Sequence, residues 1–318
     1  MSRDWAAYAK STYKWYQGHE KMLRVTKSSL TSDFSYCPKQ YEYKRIDGRK
    51  SPQTDAMTRG TNVHDAMEHF YLHVKPVYRK AYEQIKKKDR EGAMEALMAC
   101  LPQPDEPYTL GEEPILRQRI EWELVRLEAD PDRFLPIINE LEVHAYQDVV
   151  FEFNGENITV PIHFAGSIDR GYETEEGKVA LMELKTGKWK PTNFKIRGMR
   201  TEMAFYMDLL QKAEHPLKDV THWGWFYPAG ERPDEHGTQN DVTYEKVNRR
   251  YLTSLRNQLN NLLEAYFTNN FKPDPSPGKC AWCDFIAECP AWQDDGDKYW
   301  KMPPTRLEKQ RKREEAQE

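Results

Sequence analysis

The 318 residues carry 47 basic and 51 acidic side chains for a net charge of −4, with 38% hydrophobic and 31% charged residues. These proportions suit a soluble protein with a real core, in one large domain or two small ones. They argue against a generic DNA-coating protein but leave room for a local basic groove. No stretch has the length of a membrane span, the opening residues lack the apolar run of a signal peptide, and no P-loop pattern occurs. The expectation is therefore an intracellular, cytoplasmic protein with no membrane partner and no nucleotide motor.

In chain order, residues 1–27 are aromatic and basic without a clean period and read as an arm. "TKSSLTSDFSYCPKQYEYKR" reads as a capped short helix ending near Pro38. Residues 61–99 read as two helices with a charged break at "KKKDREG", and Pro102, Pro104 and Pro107 mark a loop. Residues 113–129 form an amphipathic helix. From about 137 the period shortens to two: "IINELEVHAYQDVVFEF", "ITVPIHFAGSIDRGYE" and "KVALMELKTG" read as strands, the last two joined by the turn "TEEGK". A helix follows over 194–213, a strand at "THWGWFYPAG", and a long helix over 244–268. The Pro-rich "KPDPSPGK" leads into "CAWCDFIAECP", and 296–318 read as a highly charged tail. No internal repeat is visible. The order predicts an α/β fold, one central mixed β-sheet flanked by helices. The expected layout is a single domain over 28–295, with a helical part at about 60–130, a sheet at about 137–230 and a cysteine segment at 278–290.

The strand "VALMELKTG", residues 179–187, carries the first chemical signal. Val179, Leu181, Glu183 and Lys185 share one face; Ala180, Met182 and Leu184 share the other. The first face begins apolar and turns charged at its C-terminal end, where open sheets often keep their chemistry. Asp169 ends the preceding strand in "GSIDR", and pairing through "TEEGK" would set it beside Glu183 and Lys185. Two carboxylates held together repel unless a cation sits between them. Hard oxygen ligands of this kind suit Mg²⁺ or Mn²⁺. A lysine alongside can orient a water for in-line attack on a phosphodiester. The plainer alternative is a cross-strand ion pair on a wet sheet face.

"GSIDR" followed by "ELKTG" resembles the PD-(D/E)XK nuclease superfamily in its RecB-type branch, which includes CRISPR-adaptation exonucleases and the RecB and AddB nuclease domains. The resemblance implies a restriction-endonuclease-like fold. "RGTNVHDAMEHF" resembles that branch's G-x-x-x-H motif, with His64 in the position of a metal-ligating histidine. "RTEMAFYMDLL" resembles its Q-x-x-x-Y helix motif, with Tyr206 in place. Two positions depart from the pattern: Glu202 stands where glutamine is usual, and Ile168 where the superfamily name implies proline. A carboxylate at 202 would repel phosphate unless protonated, metal-bound or paired, with Arg200 and Lys195 as candidate partners. The resemblance implies that His64, Asp169 and Glu183 bind Mg²⁺ or Mn²⁺, with the Leu184 carbonyl as an extra ligand. It also implies that Lys185 positions the attacking water, with Tyr206 in the catalytic set. Glu68, four residues after His64, either orients the imidazole or sits in an exposed helix pair. Glu140, in "INELEV", either adds a carboxylate to the site or lies on a sheet edge.

Cys280 and Cys283 are spaced C-x₂-C, and Cys289 follows after five residues. Three cysteines so close, without an export signal, point to metal rather than to a disulfide framework. Cys37 and Cys100 are candidates for a fourth ligand, and four thiolates suit Zn²⁺ or an iron–sulfur cluster alike. In the iron–sulfur members of the resembled branch, one cysteine precedes the nuclease motifs and three follow as C-x₂-C-x₅-C. Cys37, Cys280, Cys283 and Cys289 match that order, which implies a [4Fe–4S] cluster, with Zn²⁺ as the alternative. Such a clip would join the two ends of the domain and stabilise by closing a long loop.

"KTGKWKPTNFKIRGMR" brings Lys188, Lys190, Lys195, Arg197 and Arg200 close to Lys185, with Trp189 and Phe194 among them. Basic groups can track phosphates while aromatics stack on bases; a solvated loop and helix face has the same composition. The combined expectation is a metal-dependent DNA exonuclease acting in recombination, repair or phage DNA metabolism. DNA is the partner, and a recombination or replication protein a further one. An endonuclease of the same superfamily and a non-catalytic DNA-binding module are the rivals.

Overall fold

The computed structural model describes residues 13–16, 19–103, 108–186, 193–226, 245–280 and 282–291. Its elements in order begin with β1 (Tyr13–Tyr16), β2 (His19–Thr26), a wide helical turn over Ser28–Phe34, and α1 (Pro38–Tyr41), continued by a second wide turn to Ile46. Then come α2 (Asp55–His73), α3 (Tyr78–Lys86), α4 (Arg90–Met98) and α5 (Glu112–Ala129). The strands β3 (Ile138–Phe153), β4 (Glu156–Glu173) and β5 (Val179–Leu184) lead to α6 (Asn193–Lys212). Next come β6 (Val220–Phe226), β7 (Glu245–Lys246), α7 (Arg250–Thr268), α8 (Pro277–Cys280) and a short helical turn over Ile286–Glu288.

Local chemistry explains most boundaries. Thr54 caps α2 by accepting from the Met57 amide, and Asp89 caps α4 by accepting from Gly92 at 3.0 Å. Asn154 and Gly155, both at positive φ (53° and 77°), turn β3 into β4, as a two-residue hairpin requires. Several expectations are corrected here. Part of the segment read as an arm is strand, and β2 joins the main sheet. Pro38 opens α1 rather than ending a helix, because its missing N–H costs nothing in a first turn. The region 61–99 holds three helices, with breaks after His73 and after Lys86, and α7 starts at Arg250 behind the short strand β7.

Among the described residues, the seven strands form one sheet in the order β1-β2-β4-β5-β6-β7, with β3 also paired to β4. One face packs on α6 and α7: Leu23, Val25, Ile162, Phe164, Leu181 and Trp223 meet Met203, Leu210, Leu262 and Leu263. On the other face Tyr172, Met182, Leu184 and Phe226 meet Met67, Phe70, Leu116 and Trp122 from the helical layer α2–α5. Each fully buried Leu or Phe contributes about 1.5–3 kcal/mol, so both layers are firmly seated. Gly166 lets α6 approach β4: a Cβ there would lie 3.2 Å from Leu209 and 3.3 Å from Tyr206. Among the described residues, no helix is long and apolar enough to cross a membrane.

Candidate active site

The sheet has a split along β4. β3 takes one edge of β4 from Glu156 to Gly171. The other edge is shared: β2 runs parallel along Ile162–Ala165, and β5 runs antiparallel along Arg170–Glu173. The C-terminal ends of β2 and β5 therefore point at each other across Gly166–Asp169. The charged end of β5 opens into this gap.

Asp169 and Glu183 sit on either side of it, 7% and 5% exposed. The Leu184 amide donates to Asp169 Oδ2 at 2.7 Å. Burial and the neighbouring Glu183 charge push the Asp169 carboxyl well above the usual carboxylate range. Burial works the same way on Glu183, but Lys185 and Lys27 overcome it and hold that carboxyl below its ordinary value. Glu183 Oε1 takes both lysines, while Glu183 Oε2 is buried without a hydrogen-bond partner.

α2 brings His64 to the gap from the helical layer. Its Nε2 lies 3.2 Å from the Leu184 carbonyl, and its Nδ1 lies 3.5 Å from Glu140 Oε1 and 4.0 Å from Asp169 Oδ2. Burial opposes protonation of His64, yet the Glu140 hydrogen bond and the Asp169 charge leave it raised. Glu140 occupies the β3 position between the pairs Asn139–Arg170 and Leu141–Ile168, and its φ is +50°. A left-handed non-glycine residue costs about 1–3 kcal/mol, and here it aims a carboxylate at His64 and at Arg170 Nη1 (2.9 Å). One ligand atom from each of His64, Glu140 and Asp169 falls within 4.8 Å of the others. Imidazole and carboxylate donors of this kind fit a hard divalent cation; Glu183 is not in the set. Glu68 is exposed on α2, and the group that meets His64 Nδ1 is Glu140.

Lys185 lies 2.8 Å from Glu183 Oε1 and 3.2 Å from Glu202 Oε2. Lys27, the residue after β2, lies 2.5 Å from the same Glu183 oxygen and 3.8 Å from Glu202. Burial pulls both ammonium groups down, but the carboxylates win and hold both above the ordinary lysine value. Sequence reasoning missed Lys27. Its only signal was a basic residue two positions after "HEKMLRV", where the stretch read as an arm meets the one read as a short helix. Glu202 is thus paired, though with Lys185 and Lys27 rather than with Arg200. Arg200 is engaged by Glu245 (Nε to Oε2, 2.6 Å). Tyr206 is buried under Lys27, whose Nζ is 5.2 Å from the ring centre; burial first, and then Glu183, raise its phenol far above the usual value.

Of the residues expected to contact DNA, Arg197 is exposed on the first turns of α6. Lys188, Trp189 and Lys190, and the side chain of Lys195, lie outside the described residues.

Cys37, Cys280, Cys283 and Cys289 line one pocket, with Tyr36, Pro273 and Lys279 beside them. All four are free thiols, and burial pushes Cys283 up to about 11. The pocket closes the chain on itself. The Asp274 amide lies 3.4 Å from Cys37 Sγ, Tyr36 donates to the Lys279 carbonyl at 2.9 Å, and Tyr43 donates to the Glu288 carbonyl at 3.0 Å. Soft sulfur donors around one space suit zinc or an iron–sulfur cluster. Cys100 is buried in the helical layer, where its thiol meets the Ala96 carbonyl.

A family model for the PD-(D/E)XK nuclease superfamily matches residues 28–290. No curated protein matches the sequence. Among solved structures, one titled "Crystal structure of SSO0001" is 13% identical, with 87% of this chain and 89% of that chain covered and a TM-score of 0.36.

Proposed function

Because the chain belongs to the PD-(D/E)XK nuclease superfamily, a metal-dependent nuclease family, we propose that it is a deoxyribonuclease working as an exonuclease on single-stranded DNA or DNA ends. The observation that carries this reading is the Lys185 ammonium 2.8 Å from Glu183 at the sheet split, with buried Asp169 alongside. His64, Asp169 and Glu183 are the proposed ligands of Mg²⁺ or Mn²⁺, with Glu140 and the Leu184 carbonyl in reach. When bound, such an ion neutralises phosphate charge and makes water a better nucleophile. Lys185 orients the attacking water and steadies the negative charge that develops on the phosphoryl oxygens. Tyr206 stays protonated and braces Lys27 from below. Arg197, with Lys188, Lys190, Lys195 and the Trp189 ring, tracks the incoming strand. The helical layer that carries His64 roofs the site and favours a strand end over an internal position.

The four cysteines are the proposed seat of a [4Fe–4S] cluster, with Zn²⁺ as the alternative. Its role is mechanical: it clasps the segment around Cys37 to the one around Cys280–Cys289. Recombination, repair or phage DNA metabolism in the cytoplasm is the proposed setting, with a recombination or replication protein as a further partner.

The test is cleavage of end-labelled linear and closed circular single-stranded DNA with Mn²⁺ or Mg²⁺, wild type beside Lys185→Ala. Loss of linear substrate alone, abolished by the substitution, supports the exonuclease. Lys185-dependent cutting of circles replaces it with an endonuclease. No metal-dependent cleavage by folded, metal-loaded protein leaves a DNA-binding module.

A further inference from the structure

Four side chains at the split form a closed ring of alternating charge. Each lysine touches both glutamates: Lys27 at 2.5 and 3.8 Å, Lys185 at 2.8 and 3.2 Å. They arrive from three elements. Lys27 follows β2, Glu183 lies on β5 with Lys185 just after it, and Glu202 lies on α6. The glutamate side chains are 6% and 17% exposed and the lysines 20% and 28%, so the ring is mostly shielded yet open on its lysine side.

The ring has a consequence for Glu202. A carboxylate at the lip of a site that receives a polyanion repels it, by roughly 1–4 kcal/mol at about 4 Å for effective dielectric constants of 80 to 20. Lys185 is the nearer counter-charge, but in the proposed reaction it must turn to water and phosphate. Once it does, the cation that still meets Glu202 among the described residues is Lys27. Arg200 cannot take over, because Glu245 and Tyr251 already engage its guanidinium.

The geometry points to Lys27 as a positioning residue that works through Glu202: it takes over that carboxylate's charge when Lys185 engages DNA. The inference rests on the nuclease reading and adds a second lysine to it. Lys27 also meets Glu183, but Lys185 and a bound cation compensate that carboxylate too, so in metal-loaded protein most of the cost of removing Lys27 should vanish when Glu202 is also made neutral.

The experiment is a double-mutant cycle on the full-length, metal-loaded protein: wild type, Lys27→Met, Glu202→Gln and the double variant. The probe is a fluorescent single-stranded oligonucleotide with Ca²⁺, read by anisotropy, and thermal melting checks folding. Lys27→Met should weaken binding about tenfold, and Glu202→Gln should tighten it a few-fold. The double variant should bind within about threefold of Glu202→Gln. Lys27→Arg, which keeps the charge, should recover most of the Lys27→Met loss; a purely steric role for Lys27 would not produce that pattern. Equal penalties for Lys27→Met in both backgrounds overturn the inference while leaving the nuclease reading intact. If Lys27→Met unfolds the protein, Lys27→Gln replaces it in the same cycle. Wild type that neither binds nor cuts the strand overturns both.

Discussion

Leu184 holds Asp169 and His64 with its two backbone polar groups. Its amide donates to Asp169 Oδ2 at 2.7 Å, and its carbonyl lies 3.2 Å from His64 Nε2. One residue at the end of β5 thus sets the spacing between two candidate ligands. The cost is a buried carboxylate beside a second one. Asp169→Asn keeps an oxygen for the Leu184 amide and removes one charge. It is expected to stabilise the metal-free protein by about 1 kcal/mol, roughly 2–4 °C in melting temperature. It should also abolish the stabilisation given by Mn²⁺ and lower cleavage by about 10²–10³-fold. Thermal melting in chelator and in Mn²⁺, beside a cleavage assay, checks all three; an unchanged Mn²⁺ shift would remove Asp169 from the ligand set.

A buried ion network ties α5 to α2 inside the helical layer. Glu123 Oε1 lies 2.8 Å from Arg119 Nη2, Glu123 Oε2 lies 2.7 Å from Arg126 Nη1, and Tyr71 donates to Oε1 as well. Arg119 and Glu123 are fully buried. Glu123→Gln leaves two guanidinium groups without their carboxylate and is expected to destabilise by about 3–5 kcal/mol. Because α2 carries His64 in the same layer, Mn²⁺ affinity should fall with it. Urea unfolding followed by tryptophan fluorescence measures the first effect; a loss under 1 kcal/mol would mean the network contributes little.

Asp169, Glu183 and Lys185 were legible because a period of two and a short turn fix strand register locally. A continued β4–β5 ladder brings Asp169 opposite Glu183, as "TEEGK" suggested. Lys27 was not legible, because its place depends on β2 pairing in parallel with a strand more than a hundred residues away. No local period encodes which edge of β4 that strand takes, or that it stops short of Gly166. Glu140 was ambiguous for a related reason: its left-handed backbone breaks the alternation that would have assigned it a face. The Arg200 pairing with Glu245 needed α6 and β7 in space, and no sequence spacing predicts it.

The cysteine pocket makes a compositional prediction. Protein purified without oxygen should carry about four irons per chain if the group is a [4Fe–4S] cluster, or about one zinc if the site is tetrahedral zinc. Cys283→Ser removes one of the four thiols that line the pocket and should empty the site. Contacts between 36–49 and 274–289 should then loosen, so limited proteolysis should cut near the "KPDPSPGK" stretch sooner than in wild type. Elemental analysis and a proteolysis time course give the two readouts. Metal-free wild type with the same proteolytic resistance as loaded protein would remove the clasp role.

His163 supplies a pH dependence away from the metal site. It is 5% exposed on β4, stacked on Tyr146 (4.6 Å) and hydrogen-bonded to His144 (2.9 Å), with Arg24 of β2 nearby. Burial first, then His144 and Arg24, lower its pKa from 6.5 to about 4. Glu142 lies 3.1 Å from the far nitrogen of His144 and brings an acidic group to the cluster. With the folded-state value depressed, the unfolded chain binds the extra proton between pH 6.5 and 4. The contribution to stability is complete above pH 6.5 and is lost progressively as the pH falls toward 4. His163→Phe keeps the stacking and cannot take a proton, so its melting temperature should fall less steeply than wild type across that window. Both proteins share every other titrating group, so the difference between their slopes reports on His163 together with His144, its hydrogen-bonded neighbour. Parallel curves would mean that His163 is protonated as readily in the fold as in the open chain.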